Sequence, residues 1–335
     1  MDKIYPTVNF IGNKQKITNW MFDFVPSDVE VFLDGFSGGA SVSYEAKKRN
    51  FEVVSNDVLK INYLISKALV ENNKHKLSEK DIEIIFKGKP ISGYMHKNYS
   101  NKNFFPEECM ELDLYRKNID KLSNNYKKAM ALALMRRSMI RKMPYSRFNI
   151  KWEKVKQLRD EEYSYKHYKR RRAYHNESFK KHFLSHVDEY NFSIFDNRKN
   201  NKAHNKDIFS FINKVEADLI YLDPPYPGTL NRYFEFYGLL DEYVDSKKHV
   251  PFTNSFTNKN EALKLFDKLF KLSGDKKYMI LSTGNKSYPD VLILKKLAEE
   301  YFKKVSIHEK KHVYKITGKE NKEANKEVLV IGKND

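Results

Sequence analysis

The chain's apolar positions follow two different periods. Val29–Leu33 is a short apolar run that ends at Asp34, enters a glycine-rich turn and gives way to Ala40–Lys48, whose apolar residues fall at helical spacing. Phe51–Ser55 reads as a second strand closing at Asn56 and Asp57, followed by an amphipathic stretch over Ile61–Val70. A β-α-β unit is thus complete within about 30 residues, the size of a parallel crossover. From about residue 75 to 185 the pattern turns helical, most clearly over Glu107–Met143. Strand-like segments resume at Phe192–Phe195, Asp218–Leu222 and Tyr278–Leu281, alternating with helical Ile208–Lys214, Lys259–Leu272 and Val291–Phe302. Two more extended runs lie at Val305–His308 and Val328–Ile331. The pattern predicts an α/β fold: a doubly wound sheet built from residues 1–74 and 186–335, split by an inserted, mainly helical domain over 75–185.

Charge adds a partner to this outline. The 335 residues carry 62 Lys or Arg against 44 Asp or Glu, a net charge of +18, and residues 136–182 alone hold 16 of those cations against 5 carboxylates. Tyr145, Phe148, Trp152, Tyr163, Tyr165, Tyr168, Tyr174 and Phe179 are interleaved with them. Cations that neutralise phosphates, set among rings that stack on bases, suit a nucleic-acid surface. Arg137, Arg141, Lys169, Arg170, Arg171 and Arg172 are therefore candidate nucleic-acid contacts; a solvated basic helix over buried rings is the plainer alternative. Glu161 and Glu162 read as a solvated break in the run. The single cysteine, Cys109, excludes a disulfide framework, and the ten histidines show no ligand spacing such as H-E-x-x-H, so they read as surface residues and no metal site is predicted. No signal peptide and no apolar run of membrane length is evident, which predicts a soluble cytoplasmic protein with no membrane partner.

Two loops carry candidate chemistry. Gly35, Gly38 and Gly39 follow the first strand directly, where glycine lets backbone approach a ligand at the carboxyl end of a parallel strand. Asp57 closes the second strand, placed to bond the hydroxyls of a ribose, which suits an adenosine-containing cofactor; a plain tight turn is the alternative. The spacing is not G-x-G-x-x-G, which counts against a nicotinamide dinucleotide. The apolar strand Leu219–Leu222 runs straight into Asp223, Pro224, Pro225 and Tyr226. Consecutive prolines remove backbone donors and leave carbonyls as pure acceptors. An acceptor pair at Asp223 and Pro224 beside the Tyr226 ring suits a planar amine. Tyr233, Phe234, Phe236 and Tyr237 follow closely, either as local core or as the lining of a base pocket.

These blocks, in this order, resemble the Dam-like N6-adenine DNA methyltransferases of the α group. Phe10-Ile-Gly-Asn-Lys14 resembles the family's N-terminal cofactor motif, with Lys14 in the lysine position. Asp34-Gly-Phe36-Ser-Gly38-Gly39 resembles its cofactor loop, which implies Phe36 beside the cofactor adenine and Asp57 on the ribose. Asp207 matches the acidic residue that in relatives meets the amino group of the cofactor adenine. Asp223–Tyr226 matches the catalytic tetrapeptide, and Pro144-Tyr145-Ser146-Arg147 is similar to a Pro-Tyr-Gly-Arg segment that approaches DNA. Two features depart from the pattern: glycines 38 and 39 are adjacent where the family spaces them by one residue, and Asn13 replaces a common glycine. The resemblance implies a Rossmann-like methyltransferase sheet with an inserted target-recognition domain. It also implies S-adenosylmethionine as cofactor, methyl transfer to a flipped-out adenine of duplex DNA, and a possible cognate restriction endonuclease. An RNA adenine methyltransferase and an inert DNA-binding subunit are the rival readings.

Overall fold

The computed structural model describes residues 3–227, 233–250, 255–311 and 325–334. Its sheet has seven strands: β1 (Val31–Asp34), β2 (Glu52–Asn56), β3 (Lys202–His204), β4 (Leu219–Leu222), β5 (Tyr278–Gly284), β6 (Lys304–Lys311) and β7 (Lys326–Lys333), in the order β3-β2-β1-β4-β5-β7-β6. Strands β1 to β5 pair in parallel, and β7 runs antiparallel to both of its neighbours. Strands β4 and β5 are buried along their whole length, as expected of central strands covered on both faces. The partly exposed edge strand β6 carries Lys, Glu and His, which discourages further pairing. One face packs Leu33, Ile220, Leu222, Phe266, Phe270 and Val330. Elsewhere the rings of Phe22, Phe32 and Tyr221 stack in a row.

The strand order reverses between β1 and β4. Because they are parallel neighbours, with Asp34 beside Tyr221, the glycine loop and the Asp-Pro-Pro-Tyr turn leave the same carboxyl edge at the switch point, where open α/β sheets bind ligands.

The chain forms two compact units. A sheet unit comprises Phe10–Val58, Asn197–Arg232 and Phe252–Asp335; a helical unit comprises Met1–Asn9, Leu59–Asp196 and Tyr233–Pro251. The predicted insertion at 75–185 lies inside the helical unit, which also takes in flanking segments. The helix Tyr233–Asp245 belongs there because Asp241 accepts the Lys60 and Ile61 N–H groups at 2.9 and 2.8 Å, the Tyr94 and Tyr99 hydroxyls donate to Glu242, and Arg116 donates to the Val244 carbonyl at 2.7 Å.

Three local readings need correction. Phe192–Phe195 is not a strand: the apolar positions Phe179, Phe183, Val187 and Tyr190 form one face of the helix Phe179–Ser193, capped by the Ser178 side chain. The Glu107–Met143 stretch is two helices, Pro106–Ile119 and Asn125–Lys142, divided where Asn124 caps the second by accepting from Tyr126 and Lys127. Strand β3 was not anticipated. No helix among the described residues is long and apolar enough to cross a membrane, and no cluster of His, Cys, Asp or Glu among them is arranged to hold a metal.

Candidate active site

The loop after β1 is braced from below. Asp34 is buried, with Oδ1 accepting from the Phe36 N–H at 3.3 Å and Oδ2 from the Ser43 hydroxyl at 2.6 Å. Burial raises its carboxyl to about 7 against the pull of these donors, and the charges of Asp223 and Asp57 add to the rise. Asp34 therefore holds the loop's shape. Gly38 has φ +50°, and a Cβ there would lie 2.7 Å from the Phe10 ring, so the two motifs interlock at a position only glycine fits. The Gly38 N–H donates to Asp57 Oδ2 at 2.8 Å, which ties the loop to the end of β2. Gly39 is buried beside it. Phe36 is half-buried and meets Phe256 edge to face at 5.9 Å. Asp207 is exposed and caps the short helix Ile208–Phe211, with Oδ1 accepting from Ser210 at 3.1 Å.

At the end of β4, Pro224 is buried while Pro225 and Tyr226 are half-buried. The Asp223 side chain keeps 22% of its surface, yet its surroundings are dry enough that burial lifts its carboxyl to about 6; Lys14 opposes this and Glu327 reinforces it. The Lys14 ammonium lies 3.2 Å from Asp223 Oδ1 and 2.8 Å from Glu327 Oε1, so the N-terminal motif reaches the Asp-Pro-Pro-Tyr turn directly. Burial pushes the Tyr226 hydroxyl up to about 12, which keeps it neutral. A Cβ at Gly284 would come 3.0 Å from that hydroxyl, so a glycine at the end of β5 makes room for the ring.

In the helical unit, the basic block surrounds an open cavity of about 520 Å³ whose lining includes Arg141, Tyr145, Arg170, Arg171, Arg172 and Tyr174. The Arg141 guanidinium lies 4.2 Å from the Tyr174 ring centre, and Arg172 lies 4.9 Å from that of Tyr168 and 5.9 Å from that of Tyr145. Arg147 sits 5.7 Å from the Tyr145 ring and exposed Lys169 5.9 Å from that of Tyr165. Tyr145 and Ser146 both have φ +58°; Ser146 occupies the glycine position of the segment it resembles, and this is a conformation glycine adopts freely. Such strain in non-glycine residues gathers at functional sites. Arg137 does not join this group: it is 5% exposed and its Nε donates to the Thr7 carbonyl at 2.8 Å. A position in the middle of a buried helix, invisible in a count of charges, accounts for the difference. Glu162 pairs with Arg171. His175 and His182 are buried, unlike the surface histidines expected; His175 Nδ1 donates to the Arg141 carbonyl and His182 Nε2 to the Tyr174 carbonyl, each at 2.7 Å. Cys109 is buried, and burial pushes its thiol up to about 12. Of the aromatics after the Asp-Pro-Pro-Tyr turn, Tyr237 is fully buried under Arg136, its ring 5.4 Å from the guanidinium; the side chains of Tyr233, Phe234 and Phe236 lie outside the described residues.

Comparison with known proteins gives the family of the chain. The profile of the D12 class N6 adenine-specific DNA methyltransferases matches residues 10–316, from the Phe10 motif to beyond β6. The chain belongs to that family. This adenine-specific DNA methyltransferase is 52% identical to the Type II methyltransferase M2.HphI of Haemophilus parahaemolyticus over 98% of each chain. It is 26% identical to the Type II methyltransferase M.FokI of Planomicrobium okeanokoites, with 96% of this chain matching 49% of that longer protein. It is also 26% identical to the Modification methylase StsI of Streptococcus sanguinis, with 70% of this chain matching 36% of that one. Family membership carries with it DNA as substrate and a methyl donor of the S-adenosylmethionine type.

For this methyltransferase the residues that sequence reasoning missed are the supports. Ser43 gives no signal beyond helical spacing. Glu327 gives one: a carboxylate at the head of the apolar run Val328–Ile331. The two arginine classes make a testable contrast. Arg171→Ala is expected to weaken DNA binding and reduce the slope of log affinity against log salt by about one. Arg137→Ala is expected to lower the melting temperature and leave that slope unchanged. Equal slopes in both variants, by fluorescence anisotropy, would remove Arg171 from the phosphate path.

Proposed function

We propose that this methyltransferase transfers the methyl group of S-adenosylmethionine to N6 of an adenine within a specific site of duplex DNA, as the cytoplasmic methylase of a restriction-modification pair. The observation that carries this reading is the meeting, on one sheet edge, of the Phe10–Gly38 cradle and the Asp223–Tyr226 turn, bridged by Lys14. The Type II names of the relatives support the restriction-modification assignment and a cognate endonuclease as partner. The residues fit the donor: glycine at 38 leaves a cradle beside Phe10 that a Cβ would fill, and Asp57 closes β2 next to it. Phe10, Phe36, Gly38, Gly39, Asp57 and Asp207 would hold the donor, with Asp34 bracing the loop. Bound there, it supplies an electrophilic methyl group, so the protein needs alignment rather than a covalent nucleophile.

The target adenine must leave the stack, at a cost of a few kcal/mol. Stacking on Tyr226, at roughly 1 to 3 kcal/mol per base, offsets that. The Asp223 carboxylate and the Pro224 carbonyl each accept one N–H of the amino group, which draws the nitrogen lone pair out of ring conjugation and toward the methyl. Arg141, Tyr145, Arg147 and Lys169–Arg172 hold the flanking DNA.

Acceptance by Asp223 requires its ionised form. With the carboxyl at about 6, kcat/KM is expected to hold steady above that pH and to fall about tenfold per unit below it. A rate that stays level from pH 7 to pH 5, in a protein still folded by circular dichroism, would remove Asp223 from this role.

A further inference from the structure

Glu327 stands at the head of β7, fully buried, and the transfer described above does not use it. Burying an ionised carboxylate costs several kcal/mol unless opposite charge and hydrogen bonds offset it. Both are present on one oxygen: Oε1 accepts the Lys14 ammonium at 2.8 Å and the Ser282 hydroxyl at 2.5 Å. The same ammonium reaches Asp223 Oδ1 at the longer distance of 3.2 Å. Lys14 is therefore shared by two carboxylates and sits closer to the one that does no chemistry.

The consequence follows from what the cluster would be without Glu327. Without the Glu327 charge the Lys14 ammonium is drawn closer to Asp223, and the tightened pair is a weaker base and a weaker acceptor. Among the described residues, the groups whose charge bears on Asp223 are Lys14 from the N-terminal motif, Glu327 from β7, Asp34 from β1, Tyr221 from β4 and Tyr226 beside it. Lys14 is the one cation among them, so its position sets how strongly Asp223 accepts.

We propose that Glu327 is a positioning residue for methyl transfer, holding Lys14 back from Asp223 so that the catalytic carboxylate is anchored through Oδ1 yet remains a strong acceptor for the adenine amino group. This rests on the reading of Asp223 as that acceptor. Ser282 fixes Glu327 in turn, so β5 and β7 together support a group at the end of β4.

The direct test is titration of Asp223 by carbon NMR in the full-length protein labelled at aspartate carboxyls, with Asp223→Asn identifying the resonance. Glu327→Gln keeps the shape and removes the charge. The Asp223 midpoint is expected to move down by about one pH unit, the acid limb of the rate profile to move with it, and kcat at neutral pH to fall about tenfold with KM for DNA unchanged. Lys14→Met is expected to move the midpoint the opposite way. An unchanged midpoint in folded Glu327→Gln protein, or a lower kcat on an unshifted profile, would reduce Glu327 to packing and overturn the proposal. Should Glu327→Gln fail to fold, Ser282→Ala retains the charge and removes the competing donor. Lys14 is then drawn further toward Glu327, and an upward shift at Asp223 is expected; no shift would overturn the proposal equally. Shifted midpoints alongside full activity of Asp223→Ala would instead refute the acceptor reading beneath it.

Discussion

Asp223→Ala is expected to lower methyl transfer by about a thousandfold or more while leaving DNA affinity essentially unchanged, as measured by single-turnover kinetics and a binding titration in parallel. The size of the effect follows from where the carboxylate sits. Its surroundings raise its carboxyl to about 6, so it is a stronger acceptor than an exposed aspartate, and water has limited access to replace it. The substitution also leaves the Lys14–Glu327 pair in place at 2.8 Å, so the ammonium stays compensated. The variant should therefore fold. DNA affinity is independent because the cations assigned to DNA lie in the helical unit, around the cavity of Arg141, Arg170, Arg171 and Arg172. Loss of DNA binding with retained turnover is the pattern that would reverse the assignment.

Gly38→Ala is expected to weaken S-adenosylmethionine binding by about ten- to a hundredfold in calorimetry. Two penalties combine. The backbone at φ +50° costs an L-residue about 1 to 2 kcal/mol, and the new Cβ lands 2.7 Å from the Phe10 ring, so either the ring or the loop must move. Either movement disturbs the cradle. The clash identifies its own control: in Gly38→Ala with Phe10→Leu, the smaller side chain leaves space for the Cβ, and part of the lost affinity should return. Strictly additive losses in the double variant would mean that the interlock of the two motifs is not what shapes the site.

How much of this was legible in the sequence depended on whether a feature is local. Strands β1, β2 and β4 announce themselves as apolar runs ending in Asp34, Asp57 and Asp223, and because parallel strands share a carboxyl edge, their loops had to converge. Strand β3 is three residues long, Lys202–His204, with one buried position, so it carries no run for a pattern to find. Phe192–Phe195 misled because a helix ending in aromatic residues matches a short strand when read without the preceding three turns. Partners distant in the chain were out of reach for a simpler reason. Lys14 and Glu327 are 313 positions apart, and only the fold brings the N-terminal motif, β4 and β7 to one point. Arg137 shows the converse: a cation counted toward a basic surface is spent on a backbone carbonyl inside the helical unit.

The proposed reaction at Asp223–Tyr226 is methylation of adenine N6 in duplex DNA with S-adenosylmethionine as donor. Incubation with donor labelled in its methyl group, unmodified duplex DNA and, separately, RNA, followed by digestion to nucleosides, tests it in one step. Label is expected in N6-methyldeoxyadenosine, from DNA alone, and is expected to vanish with Asp223→Ala. Label confined to RNA would contradict the substrate, and the absence of label in DNA of varied sequence that the protein nonetheless binds tightly would contradict catalysis itself.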